Sequence, residues 1–460
     1  MPFPRAIASD VLEDIRHQTR GAGFGARLAP RPPSEDPLPA PVPRDSKGTS
    51  RSVDRRAFVA DLGAPLPVVT GERTVVPEHE FRGNVENFVG LAQVPIGLIG
   101  PLRLCGLHAQ GDFYVPLATT EGALVASYGR GASAISRAGG ARVICAVRRT
   151  TRAPFFRFRS LVDAGLFLEF ALESFPRLQE LVGEATHHGR LEDLRVHWEG
   201  NFVYLLFDYS TGDAAGQNMV TVATRHLAAW LVERSPVRPC SWTVESNLSG
   251  DKKASTVNHQ YVRGSRVMAE AELPRALVEE SLHTTPEAIE TYWKAASVAS
   301  TQAGSIGVQG QFANGLAALF LACGQDVACV AEAAVGNVRL ERTEAEDLYA
   351  SVCLPNLTVG TVGGGTGTPT ARECLGLLGC VGEGSAAKLA EIAGGLVLAG
   401  EISIAAALTS GEFTRAHATL GRRAATSIDE TVSDPQPGTG VPSFLLQGDE
   451  TAPMNARRER

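Results

Sequence analysis

No stretch of this chain stays apolar and uncharged over the length a membrane helix needs. The most apolar run, Leu389 to Leu408, is interrupted by Glu391 and Glu401, which suits a buried or interface helix better than one in lipid. Basic excess is missing too: a net charge of −7 supplies no general cationic surface and argues against nucleic acid as a partner. The eight cysteines form no CxxC pair and sit in apolar settings such as Val143-Ile-Cys-Ala146, as expected of reduced thiols in a cytoplasmic protein. No His, Cys and carboxylate set has metal-ligand spacing. The opening Met1-Pro-Phe-Pro-Arg5 lacks the charged-then-apolar pattern of a secretory signal.

What is present is a globular composition long enough for at least two compact units, with 460 residues of which 44% are hydrophobic. Residues 28–56 are rich in proline and charge, which predicts a disordered leader over residues 1–56, and the polar stretch from Ser433 predicts a frayed C-terminal tail. Between them, Asp112–Ala118, Asn201–Asp208 and Arg266–Leu273 read as strands, the last running into Pro274 as the first residue of a helix. Thr119 and Thr120 read as the cap of a helix that takes Glu121 into its first turn. Ser297–Cys323 reads as one long helix of small residues, broken near Gly304, Gly307 and Gly310. Ser385 and Gly411 bracket another helix, with His417 just beyond.

Glu121, Lys252, Asp326 and His417 lie far apart in sequence, each among small neighbours that leave room for a ligand. Lys252, in Ser249-Gly-Asp-Lys-Lys253, suits either a solvated charge run or an ammonium that stabilises a developing oxyanion. Asp326 reads either as a turn former after an apolar helix or as a partner of Lys252 and Glu121. His417 could serve as a general acid near neutral pH. Two glycine-rich segments, Thr211–Met219 and Val359–Thr366, are tight turns or a dinucleotide cradle. Gly129-Arg-Gly131 with Ala134 matches a dinucleotide motif by letters, yet it falls inside a helical pattern.

Together these segments resemble 3-hydroxy-3-methylglutaryl-coenzyme A (HMG-CoA) reductases of the class I form over residues 82–425. The resemblance rests on Glu86-Asn-Phe-Val-Gly90, Val94-Pro-Ile-Gly-Leu-Ile-Gly-Pro101, Thr119-Thr-Glu-Gly122, Asp251-Lys-Lys253, Gly324-Gln-Asp326, Gly360–Thr366, Leu389-Ala-Glu391 and Ala399-Gly-Glu401, all in family order. It implies an α+β fold in which a large helical substrate domain (residues 86–152 and 255–425) is interrupted by a small ferredoxin-like cofactor domain (153–241). A helical segment (57–85) would precede them, a connecting loop (242–254) would carry Lys252, and a tail (426–460) would follow.

The implied reaction is the four-electron reduction of HMG-CoA to mevalonate and coenzyme A by NADPH, in a homodimer or homotetramer whose sites are shared between subunits. Lys252 would stabilise the carbonyl oxygen, Glu121 would donate a proton at the aldehyde stage, Asp326 would tune both, and His417 would protonate the departing thiolate. Arg152, Asp251, Lys253 and Asn314 fall on substrate-contact positions, with Ser127 and Arg130 beside coenzyme A. Asp213, Gly216, Asn218, Met219, Val362, Gly363, Gly364, Gly365 and Arg422 fall on the cofactor side.

Some positions depart from the family pattern. Glu245 stands for a serine, Ala295 (beside Lys294) for a lysine and Gln311 for a histidine, which removes a cation and adds an acid near an anionic substrate head. Glu173-Ser174 replaces the Ser-Arg pair that grips the 2′-phosphate of NADPH, so NADH becomes a possible donor, with Arg177 or the loop from Thr186 to Leu194 as compensation. The alternatives are a paralogue reducing another acyl thioester and, from a different class, a non-catalytic binding homologue.

Overall fold

The computed structural model describes residues 5–19, 23–45, 51–73, 78–186 and 188–414. His417 and Arg422, and with them the expected C-terminal tail, lie outside the described residues. The fold mixes helix and sheet. Its strands are β1 Ile96–Gly106, β2 Gln110–Ala118, β3 Ala141–Arg152, β4 Phe155–Arg157, β5 Arg190–Glu199, β6 Phe202–Ser210, β7 Ser241–Thr243, β8 Gly264–Leu273, β9 Gly307–Val308, β10 Gly336–Arg342 and β11 Leu348–Leu357. The helices that matter below are α1 Leu124–Arg137, α2 Leu161–Glu173, α3 Phe175–Ala185, α4 Gln217–Arg234, α5 Pro286–Gln302, α6 Phe312–Ala322 and α7 Ala386–Thr409.

The strands divide between two hydrophobic cores, and β3 belongs to both neighbourhoods. Its first part pairs antiparallel with β8, from Arg142↔Glu270 to Arg149↔Gly264, while Thr150, Thr151 and Arg152 pair with β6. On one side, β8, β11 and β10 continue the sheet, and β1 joins β2 to β3. On the other, the order β7-β4-β6-β5 is antiparallel throughout, and Phe156, Phe167, Leu178, Phe207 and Leu227 pack between these strands and α2, α3 and α4.

Helix α7 runs through the larger core with residues buried on every side, in keeping with its nearly continuous apolar sequence. It is the one described helix long and apolar enough to cross a membrane, and it is mostly buried within the protein. Small residues make that depth possible: a Cβ on Gly131 of α1 would lie 1.9 Å from the Ala399 carbonyl oxygen. Two carboxylates ride on this helix, Glu391 and Glu401, both buried and without an ion pair to any described cation. Glu391 instead accepts the amides of His108 (2.8 Å), Ala109 (2.7 Å) and Cys145 (3.1 Å), tying the β1–β2 turn to β3.

The expected strands are present within a few residues of their predicted limits. Other expectations need correction. The leader expected to be disordered is ordered in its described parts: Arg5–Gln18 is helical, another helix begins at Ser52, and residues 28–45 are packed, with Leu28 buried and the side chain of Arg103, itself fully buried, donating to the carbonyls of Arg31 (2.7 Å), Asp36 (2.5 Å) and Pro37 (3.3 Å). Tyr114 adds a hydroxyl bond to the Ala40 carbonyl at 2.6 Å. Its hold is through main-chain carbonyls, which a count of apolar side chains does not register.

Glu121 precedes α1 instead of entering it. The helix starts at Leu124 behind Ala123, whose φ of 67° is left-handed, and Thr119 Oγ1 accepts the Glu121 amide at 3.0 Å as part of a turn. Pro274 caps the helix after β8 from outside. The Ser297–Cys323 stretch is two helices, α5 and α6, parted by β9. Only glycine fits at Gly307 (φ 88°), since a Cβ would lie 2.0 Å from the Gly336 carbonyl oxygen.

Glu391 yields a test. Burial pushes its carboxyl up to about 7 against the pull of the three amides. The folded state therefore holds a proton that the unfolded chain gives up near 4.5, and the stability from this group is full below pH 4.5 and lost as pH rises through about 7. Thermal melts should show Tm falling over that interval in wild type, with a shallower slope in Glu391→Gln.

Candidate active site

The loop between β7 and β8 carries Lys252 in a conformation that few side chains adopt, with φ of 56°. Gly250, two residues earlier, is also left-handed, and a Cβ there would meet Asn258 Oδ1 at 2.0 Å. Asn258, fully buried, clasps the loop by donating to the carbonyls of Gly250 (2.7 Å) and Lys253 (2.5 Å). The Lys252 ammonium then reaches Asp326 Oδ2 at 2.7 Å. That hydrogen bond, outweighing partial burial, raises the lysine above its ordinary value and keeps it protonated. Asp326 is positioned from its other side, accepting the Ala328 amide at 3.1 Å in the turn after α6.

Beneath the loop lies a chain of charges. Asp251 binds Arg152 Nη1 (2.6 Å) and Arg263 Nη2 (2.7 Å), and Arg263 forms a second, buried pair with Glu332. Burial opposes ionisation of Asp251, but Arg263 and Arg152 outweigh it and its carboxyl lies below the ordinary range. For Glu332 burial prevails over Arg263 and the shift is upward. Gln217, opening α4, accepts from both arginines, at 3.2 Å and 2.6 Å. Arg152 and Asp251, expected to touch substrate, hold the loop by these bonds, whereas Lys253 is exposed and its ammonium donates to the Asp251 carbonyl at 2.9 Å.

The two glycine-rich segments meet beside this pair. An isolated parallel bridge joins Ala214 to Val362, and the Asp213 carbonyl accepts the Thr361 amide at 2.9 Å. Asp213 spends its carboxylate on the amides of Gly384 (2.7 Å) and Ala386 (3.0 Å) at the start of α7. Gly216 (φ 74°) turns the chain into α4, where Asn218 is exposed and Met219 Sδ accepts from Thr186 Oγ1 at 3.2 Å.

The glycines differ in purpose. A Cβ on Gly365 would approach Gly324 O to 2.5 Å, so that residue allows two loops to touch, while Gly363 and Gly364 (φ 78° and 55°) meet nothing within 4 Å and present bare backbone outward. Bare backbone beside a helix start fits a dinucleotide's ribose and phosphates, where side chains would intrude. Through Gly324 and through Gln325 Oε1, which accepts the Gly360 amide at 2.8 Å, this cradle abuts the turn bearing Asp326.

Glu121 lies elsewhere in the protomer. Its Oε1 is 3.5 Å from Asn314 Nδ2 near the start of α6, on a cavity of about 580 Å³ lined also by Ser127, Arg130, Tyr292 and Gln311. Ser127 shares a hydrogen bond with Ser403 at 3.0 Å, and Arg130 pairs with Glu412 at 2.6 Å. Asn314 and the end of α6 are about 12 Å apart at 1.5 Å per residue, and Asp326 follows that end. The described residues of one chain therefore gather Lys252 with Asp326, and Glu121 with Asn314, but place the two pairs at opposite ends of one helix.

Sequence reading missed Arg263, Glu332, Gln217, Gln325 and Asn258. A signal existed for one: Glu332 stands alone among small apolar residues, Cys329-Val-Ala-Glu-Ala-Ala334, a setting in which a charge is buried and paired. The departing positions are also accounted for. Glu245 accepts the amides of Ser246 (3.0 Å) and Asn247 (2.7 Å) and faces Arg152 at 3.5 Å. Lys294 binds Glu290 at 3.3 Å, Ala295 is exposed, and Gln311 turns inward to Gly400 and Ser127. Arg177 pairs with Glu180 and Glu184, at 2.8 Å and 3.1 Å.

A sequence profile described as hydroxymethylglutaryl-coenzyme A reductase matches residues 52–422. Relatives named 3-hydroxy-3-methylglutaryl-coenzyme A reductase include one from Pyrococcus abyssi, 43% identical over 82% of this chain and 93% of its own length. Another, from Methanothermobacter thermautotrophicus, is 44% identical over 80% and 92%. In fold, the chain is similar to a class II 3-hydroxy-3-methylglutaryl-CoA reductase from Streptococcus pneumoniae solved with NADPH, at a TM-score of 0.65 and 21% identity over 78% of this chain and 98% of that one. With most of its length matched by the profile and by relatives this similar, the chain belongs to the hydroxymethylglutaryl-coenzyme A reductase family.

Proposed function

We propose that this protein reduces HMG-CoA to mevalonate and free coenzyme A, with NADPH as donor. The observation that carries the reading is the Lys252 ammonium, paired with Asp326, lying against the glycine cradle. Gly363, Gly364 and the start of α4 would hold NADPH, which would supply a hydride for each of two steps. In the first, the Lys252 ammonium stabilises the negative charge on the thioester oxygen as the carbonyl becomes a hemithioacetal. His417 then protonates the coenzyme A thiolate as the carbon–sulfur bond breaks, so that it does not add back to the aldehyde. In the second, Glu121 supplies the proton that completes the alcohol.

The separation of the two pairs along α6 supports a site completed by a second copy of the chain, and so a homodimer or homotetramer. The antiparallel β7-β4-β6-β5 unit, with strand and helix order β4-α2-α3-β5-β6-α4-β7, supports the reading of residues 153–241 as a ferredoxin-like cofactor domain set into the larger substrate domain. Residues 242–254 are then the connecting loop, and the free cysteines suit a cytoplasmic setting.

A different acyl thioester is the second reading, favoured by the exposed Ala295 and by Lys294 already engaged with Glu290. Loss of nicotinamide absorbance on mixing with HMG-CoA and NADPH tests the first reading; no turnover with HMG-CoA but turnover with another acyl-CoA would replace it with the second.

Lys252→Ala should lower kcat by about 100-fold or more, by loss of oxyanion stabilisation. Its Tm and oligomeric state should stay unchanged, because the side chain is 41% exposed. His417→Ala should slow the thioester substrate more than the free aldehyde, and equal losses would remove histidine from the thiolate step. Because Glu173 and Ser174 offer no cation and Arg177 is already paired, kcat/KM for NADPH should exceed that for NADH by less than about tenfold, equivalent to about 1.4 kcal/mol; a larger ratio means another residue grips the 2′-phosphate.

A further inference from the structure

Glu391 and Glu401 share a helix, a depth of burial and the lack of an ion pair to any described cation, yet only Glu401 lies directly behind the Glu121 cavity, bonded to two of the residues that line it, Gly310 and Gln311. Its two oxygens accept the amides of Gly310 (2.8 Å) and Gln311 (2.6 Å), the residues that lead into α6. The turn is closed from other directions as well. Tyr128 donates its hydroxyl to the Gln311 carbonyl at 2.7 Å and accepts the Gly315 amide at 2.8 Å, and Gln311 donates its side-chain amide to Gly400. Three residues after Gln311, on this same first turn, Asn314 meets Glu121.

We propose that Glu401 is a positioning residue for the reduction described above: its ionised carboxylate sets the first turn of α6, and through Asn314 it sets the orientation of Glu121. The inference rests on that reading of the site. Physical chemistry favours it over a merely structural role. An ionised carboxylate buried without a cation is costly, and its two amide bonds together with the favourable end of the α6 dipole offset only part of that cost. A neutral side chain would fill the space without the charge, but it would not offer two acceptors to two donors at once. Glutamine, for example, would set its own amide group against one of the two backbone amides.

The charge also links the site to pH. Burial pushes the Glu401 carboxyl up to about 7 against the amides of Gln311 and Gly310. The groups that face it are the phenols of Tyr128 on α1 and Tyr292 on α5, both raised by burial and so neutral here, with Glu121 beyond Tyr128 and the Arg130–Glu412 pair on the Ser403 side of α7. As pH falls through about 7, Glu401 takes up a proton, directs an O–H at an N–H, and the turn loosens.

The test compares wild type, Glu401→Gln, Glu391→Gln and Asn314→Ala by kcat, KM, pH profile and Tm with HMG-CoA and NADPH. Glu401→Gln should lower kcat by about tenfold or more, a misplacement effect, with both KM values within about twofold and without the acid limb near pH 7. Glu391→Gln should keep kcat within about twofold whatever its Tm. If Glu401→Gln keeps kcat and the acid limb, or loses no more activity than Glu391→Gln, the inference is overturned. Should Glu401→Gln not fold, Asn314→Ala decides: the limb should vanish when the link to Glu121 is cut, and its persistence overturns the inference. A wild type without turnover takes the reductase reading down together with this one, whereas an active wild type with an unaffected Glu401→Gln removes this one alone.

Discussion

The ion chain Arg152–Asp251–Arg263–Glu332 is the constraint on which the candidate site depends. Lys252 needs a left-handed backbone to aim at Asp326, and a non-glycine residue holds that geometry only when its surroundings over-determine it. Asp251, the residue before it, is gripped from two sides, and Arg263 is fixed in turn by Glu332. A buried pair of this kind adds little net stability, because desolvation offsets the attraction, but removing one member leaves an uncompensated charge. Its value lies in fixing one arrangement. Both ends of the chain reach what they must join: Arg152 closes β3 where the two cores meet, and Gln217, between the arginines, opens the helix beside the glycine cradle.

The chain thus brings glycine cradle and ammonium together, by the backbone contact of Gly365 with Gly324 and the hydrogen bond from the Gly360 amide to the Gln325 side chain. The Glu121 carboxyl is handled differently. It sits on a short turn before α1, outside regular structure, and its one described side-chain partner is at the far end of α6. The ammonium is thus rigidly attached within the protomer, whereas Glu121 has a seat of its own.

Much of the architecture was legible because strands declare themselves by apolar runs between turn residues, as in Asn201–Asp208, and because an apolar stretch carrying lone acids, Leu389–Leu408, fits a buried helix. The errors have physical causes. Thr119 and Thr120 look like helix caps, but one of them serves a turn that places Glu121 ahead of the helix. The proline-rich stretch looks unstructured because it has few apolar side chains to pack. From the residues alone the Lys252–Asp326 pairing was one of two readings of Asp326, since no spacing rule joins residues so far apart, and the family resemblance chose between them. Arg263, in Tyr261-Val-Arg-Gly264, carries no local mark of its role.

The packed leader has a further consequence. Each proline contributes a carbonyl but no amide, so a segment with prolines at 30, 32, 33, 37, 39, 41 and 43 has an excess of hydrogen-bond acceptors that no sheet or helix of its own can absorb. Arg103 is the complement, a dense bundle of donors enclosed in protein, shared between that excess and Asp112. Each side solves the other's electrostatic problem. Stripping the segment away would exchange three peptide carbonyls for water and leave the guanidinium only Asp112 within the protein, so what resembles a dispensable extension in composition behaves as a lid that solvates a cation with peptide instead of water.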